Sequence, residues 1–137
     1  MEIDKARRLA EEIRALTNRI ELVRQSAKNL VPWRDGMPKP PYKSGSALER
    51  IVYKMLELAE ERDEKQKELE AAKVELIEGI CAVAMGEPER RVLILRYVNC
   101  MRFRDICFEL QYSDARVYQL HRAGLKKLQL HYSRQMG

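Results

Sequence analysis

Apolar residues step by three and four along two long stretches of this chain. The first seam runs Ile3, Ala6, Ala10, Ile13, Thr17 and Ile20, with Leu9, Leu16, Val23, Ala27 and Leu30 widening the stripe. That spacing predicts an amphipathic helix with a coiled-coil-like edge. It stops at VPWRDGMPKPPYKSGS, residues 31–46, where four of the five prolines lie (Pro32, Pro38, Pro40, Pro41). Proline has no amide donor and disfavours helix in the residue before it, so a bend of extended character is expected. Trp33 and Tyr42 flank this bend and are expected to clamp it; peptide docking by MPKPP is the lesser alternative.

A second helix is predicted over about residues 47–85. Ser46 followed by Glu49 has the S-x-x-E form of a capping box. The seam reads Leu48, Ile51, Met55, Leu58, then a polar interval through Arg62 and Lys65, then Leu69, Ala72, Leu76 and Val83. Such a helix reaches roughly 55–60 Å against roughly 40 Å for the first. Neither stripe can stay in water, so the two are expected to fold back as a long antiparallel hairpin. Homodimer formation through the same seams is the competing outcome. The charge run EERDEK, residues 60–65, reads as a solvated helix face.

The pattern changes after Gly86. Pro88 suits the first turn of a new helix, PERRVLILRYV, with Val92, Leu93, Leu95 and Val98 apolar. Asn99 and Cys100 interrupt it, and a short helix RFRDICFEL follows with Phe103, Ile106, Cys107 and Leu110 turned inward. After QYS, Ser113 is placed to cap a last helix whose stripe is Val117, Leu120, Gly124, Leu125 and Leu128. Asp114, Ala115, Arg116, Tyr118, Gln119 and Arg122 then fall on its N-terminal and outer faces. Two helices joined by a short turn, the second capped and carrying Arg and Gln outside its stripe, have the layout of a helix-turn-helix DNA reader. Arg can bond guanine O6 and N7, Gln can bond adenine N6 and N7, and a helix N-terminus offers amides to phosphate. A plain three-helix bundle with charged outer faces fits the same residues one by one.

The expected fold class is therefore all-α: a helical hairpin over 1–86, bent at 31–46, followed by a three-helix helix-turn-helix domain over 87–137. Composition supports helices, since 34% of residues are charged, 7% are aromatic and Gly is scarce. Charge distribution adds to the DNA reading. Residues 88–137 hold ten Lys/Arg against four Asp/Glu, net +6, which leaves −1 for residues 1–87 of the total +5. Polyanions are attracted to such a segment.

The run ERRVLILRYVNCMRFRDICFELQYSDARVYQLHRAGLKKL resembles region 4 of bacterial sigma-70 factors, with its Glu-Arg opening, Leu-Arg-Tyr, aromatic then acidic-Ile, Leu-x-x-Ser turn and apolar ending. With a preceding coiled coil and the Tyr-Ser and Val-Tyr-x-Leu-His elements, it is more similar to small prophage-encoded late-transcription regulators of the autolysin-regulator (ArpU-like) type. The likeness covers about the last 45 residues. It implies a helix-turn-helix at 102–128 that reads a promoter element with Asp114, Ala115, Arg116, Tyr118 and Gln119, with Arg122 near the backbone. Ser113, Lys126, Arg102 and Arg104 complete the candidate DNA-binding residues. The chain departs from the family where Cys100 and Gln111 stand for common glycines and Gly124 for a common Ala. A positive φ at Cys100 or Gln111 would be mildly strained.

A complete sigma factor also melts DNA with stacked aromatics. Residues 1–87 offer Trp33, Tyr42 and Tyr53 but no aromatic-rich basic helix, so an accessory activator is expected rather than a full sigma factor. The alternatives are a phage packaging subunit of small-terminase type and an adaptor that binds RNA polymerase. No catalytic set suggests itself around His121 or His131, and Cys81, Cys100 and Cys107 lack paired zinc spacing, so neither an enzyme nor a cofactor is expected. The cysteines are expected to be small buried apolar residues. With no apolar run long enough for a bilayer and a charged start, no membrane partner and a cytoplasmic location are expected.

Overall fold

A computed structural model describes residues 2–30 and 45–136. Among these the chain is all-helical, with five α-helices and no strand. They are α1 (Lys5–Leu30), α2 (Gly45–Cys81), α3 (Glu87–Leu93), α4 (Phe103–Leu110) and α5 (Asp114–Met136); α3 continues into a wider π turn, Ile94–Val98. The proline-rich bend with Trp33 and Tyr42, and the Ser46 side chain with its expected cap, lie outside the described residues.

The chain divides into two compact units, one of Glu11–Lys67 and one of Met1–Ala10 with Glu68–Gly137. Among the described residues of the first, Leu16 and Leu58 are the buried apolar side chains. Ile13, Ile20, Val23, Leu48, Ile51 and Met55 are half-buried around the same seams. The polar interval of α2 has a partner on α1: Lys65 Nζ lies 3.1 Å from Glu12 Oε2. Thr17 is not part of the α1 seam. It is exposed, and its hydroxyl donates to the Ile13 carbonyl at 2.9 Å. The centre of the stripe is instead Ala6, Leu9 and Leu16, all buried, because a 3.5-residue seam through Leu9 and Leu16 leaves position 17 on the flank.

The second unit holds the rest of the α2 seam. Leu69, Ala72, Leu76, Ile80 and Val83 are buried together with Ala6 and Leu9. The long helix ends at Cys81 rather than near 85, and Cys81 is exposed, not buried. Its end tightens through a Val83 amide to Ile80 carbonyl bond of 3.3 Å, the i→i+3 closure common where the last carbonyls have no partner. Arg90 then donates from Nη2 to the Val83 carbonyl at 3.1 Å. Gly86 is the residue before α3, at φ −69° and ψ 151°, with proline in the first turn behind it.

α3, α4 and α5 enclose a small core of Val92, Ile106, Val117 and Leu120. Leu95, Met101, Phe103, Cys107, Leu110 and Tyr112 pack against it. Of the apolar stripes expected for these helices, Val92, Leu93, Val98, Ile106, Val117, Leu120, Gly124 and Leu128 are buried, while Leu95, Phe103, Cys107, Leu110 and Leu125 are half-buried. The expected single helix PERRVLILRYV widens at its end, where the Asn99 amide reaches back to the Ile94 carbonyl at 3.0 Å. Such wide turns let a helix stop without losing its last bonds. Cys100 and Gln111 both take left-handed backbone conformations, at φ 58° and 57°, as their replacement of glycine implied. Gln111 terminates α4 at ψ 40° with its amide donating to the Cys107 carbonyl.

Candidate nucleic-acid interface

The start of α5 is built by Ser113. Its Oγ accepts the Arg116 amide at 3.2 Å and its carbonyl accepts the Val117 amide at 3.1 Å, which satisfies donors left orphaned in a first turn. The Asp114 carboxylate follows, favourable beside the positive end of the helix. The Arg116 amide is thus already engaged by Ser113, and Asp114 places a negative charge at the same terminus.

All eight residues expected on the reading helix are exposed: Ser113, Asp114, Ala115, Arg116, Tyr118, Gln119, Arg122 and Lys126. Val117, Leu120, Gly124 and Leu128, on the opposite stripe, are buried. At about 100° per residue, Ala115, Gln119, Arg122 and Lys126 fall within roughly 60° of one another on the line facing away from the core. Tyr118 flanks that line on one side and Arg116 on the other. Arg116 Nη1 donates to Gln119 Oε1 at 3.4 Å, so the two polar side chains lean together. Arg102 and Arg104 are exposed at the start of α4.

The charge excess of residues 88–137 is partly used internally. Arg90 pairs with Glu87, Lys127 Nζ donates to Glu89 Oε2 at 2.7 Å, and Arg96 donates to the Met101 carbonyl at 3.0 Å. Arg91, Arg102, Arg104, Arg116, Arg122, Lys126 and Arg134 are exposed and carry the cationic field outward.

Sequence reasoning missed a cluster beneath the reading helix. The Tyr97 hydroxyl and His121 Nε2 are hydrogen-bonded at 2.7 Å, with the rings stacked at 5.6 Å. Phe103 meets the His121 ring edge-on at 4.9 Å and Tyr118 at 4.9 Å, and the Arg96 guanidinium lies 4.4 Å from the Phe103 centroid. Burial, then the Arg96 charge, lowers the His121 pKa below its ordinary value. Burial, then Asp4, raises that of Tyr97. His121 is therefore a neutral packing residue. The one signal for this was the i,i+3 pair Tyr118 and His121 lying one turn apart beside an inward Phe103.

Compared with protein-family models, curated proteins and solved structures, the chain shows no match to any of them. The α5 surface therefore stands on its own chemistry. Cys107, on the facing side of α4, has its thiol pKa raised by burial and by the Asp114 carboxylate, so it is not an activated nucleophile. Among the described residues no three His, Cys, Asp or Glu side chains gather where they could hold a metal ion, and no helix is long and apolar enough to cross a membrane.

Proposed function

We propose that this protein is a sequence-specific double-stranded DNA-binding transcription regulator, a sigma-like accessory activator of the kind phages and prophages encode. In this reading α4 and α5 are a helix-turn-helix and α5 enters the major groove. The observation that carries it is the division of α5 into a buried stripe and an exposed face bearing Ala115, Gln119, Arg122 and Lys126, with Arg116 and Tyr118 beside it. A capped helix that carries Gln119 on its outermost line and Arg116 beside it has the donors that distinguish base pairs in the major groove.

α1 and α2 are read as the arms of an antiparallel hairpin. Support comes from the Glu12–Lys65 pair and from a groove lined by Glu12, Ala15, Leu16 and Arg19 of α1 and by Glu61 and Lys65 of α2. The hairpin would serve homodimer formation or contact with RNA polymerase, and the protein would act in the cytoplasm without catalysis of its own. The test is selection of bound duplexes from a random library at near-physiological salt. A winner preferred about a hundredfold or more over an unrelated duplex supports the reading; uniform weak binding sinks it.

A second reading, an RNA polymerase-binding adaptor, is favoured by Phe108, which is 86% exposed on α4. An isolated aromatic of this size on a helix surface is the kind of anchor that protein interfaces use. Polymerase capture that is lost in Phe108→Ser and retained in Gln119→Ala would favour it.

A further inference from the structure

We infer that Tyr118 is a specificity-determining residue that reads the 5-methyl group of a thymine. The inference rests on the DNA reading of α5 and names part of its target. Tyr118 is 49% exposed, yet its ring packs on Phe103 at a centroid distance of 4.9 Å. Phe103 is itself held by the His121 edge at 4.9 Å and the Arg96 guanidinium at 4.4 Å, and His121 is fixed by its bond to Tyr97. The Tyr118 ring is thus a half-exposed aromatic surface already seated on Phe103, which lowers the ordering cost that falls on binding.

Its neighbours on the helix face sharpen the assignment. Ala115, one turn earlier, is exposed and small, which lets the backbone of α5 approach the groove floor. Gln119 and Arg116 supply the polar contacts of the same turn and bond to each other, leaving Tyr118 as the large apolar reader. In the major groove guanine, adenine and cytosine present donors and acceptors, whereas thymine alone presents an apolar methyl. An aromatic ring held at the edge of a polar reading face is complementary to that group.

The test uses the full-length protein and the duplex chosen by library selection, with each thymine replaced singly by deoxyuridine. Removing one buried methyl is expected to weaken binding roughly three- to fivefold at one position and nowhere else. Tyr118→Ala should bind the thymine and uracil duplexes equally at that position. Tyr118→Phe should keep the preference, which assigns it to the ring and not to the hydroxyl. Phe103→Leu should reduce it, with circular dichroism and melting used to verify that each variant is folded. A preferred duplex without any uracil-sensitive position, or a sensitivity that survives Tyr118→Ala, overturns the inference alone. Absence of any preferred duplex overturns the DNA reading and this inference with it.

Discussion

Gly124 on α5 backs directly onto Leu93 of α3: a Cβ placed on Gly124 would meet Leu93 Cδ1 at 2.9 Å and Cγ at 3.1 Å. Leu93 is fully buried and cannot swing into solvent to make room. Gly124→Ala gains about 1 kcal/mol of helix propensity, but overpacking a tight core costs about 1–3 kcal/mol. The expected net effect is a loss of about 1 kcal/mol, read by urea denaturation. Leu93→Val in the same chain should recover part of it, and a double-mutant cycle with no coupling between the two positions would contradict this contact.

Gln111 is exposed and sits at φ 57°, ψ 40°, a conformation that costs a side-chain-bearing residue about 1–2 kcal/mol. Gln111→Gly should therefore stabilise the protein by about 1 kcal/mol, even though glycine is usually the destabilising choice. A lowered urea midpoint in this variant would show that the turn is held by something other than its backbone conformation.

Ser113→Ala removes the oxygen that accepts the Arg116 amide. A loss of about 1 kcal/mol is expected, while Ser113→Asp should be close to neutral because its carboxylate can accept the same bond. Equal losses in both variants would argue against a capping role.

His121 links stability to pH. Its folded pKa is lowered by burial and by Arg96, so protonation is easier in the unfolded chain. The stabilising contribution is complete above the unfolded value of about 6.5 and is lost as pH falls below it towards the folded pKa. Denaturation at pH 7.5 and pH 5.5 should show lower stability at the acid value, and His121→Phe should flatten the difference. A wild-type protein more stable at pH 5.5 would mean that the imidazole is paired with an acid instead.

On DNA, Arg116→Ala and Gln119→Ala should reduce preference for the selected duplex by about 1–3 kcal/mol each. Lys126→Ala should weaken all duplexes alike and lower the salt slope by about one. Equal effects of all three on discrimination would remove the division between base readers and a phosphate contact.

Much of this protein was legible along the chain because burial follows period. The α2 seam from Leu48 to Leu76 and the α5 stripe from Val117 to Leu128 are buried or half-buried where the three-and-four spacing places them. Ser113 caps α5 because a hydroxyl before a helix has an orphan amide within reach. Thr17 was misplaced because two stripes one residue apart fit the same α1 sequence, and only packing against a partner selects the Leu9–Leu16 line. The early stop of α2 at Cys81 escaped notice for a similar reason, since residues 82–85 have no strong helix breaker and Arg90 claims the Val83 carbonyl from seven residues away.

Period, caps and turn chemistry are local, so the sequence by itself determined the all-helical class, the helix order, the inward stripes and the outward set from Asp114 to Lys126. Contacts between residues far apart in the chain were decided by tertiary structure. Tyr97 finds His121 across 24 positions and Lys127 finds Glu89 across 38. Those pairings set which cations face outward and anchor the rings beneath Tyr118, while burial and the Arg96 charge lower the His121 pKa, because distance in space, not spacing in sequence, fixes the strength of an ion pair, a stacked ring or a desolvated imidazole.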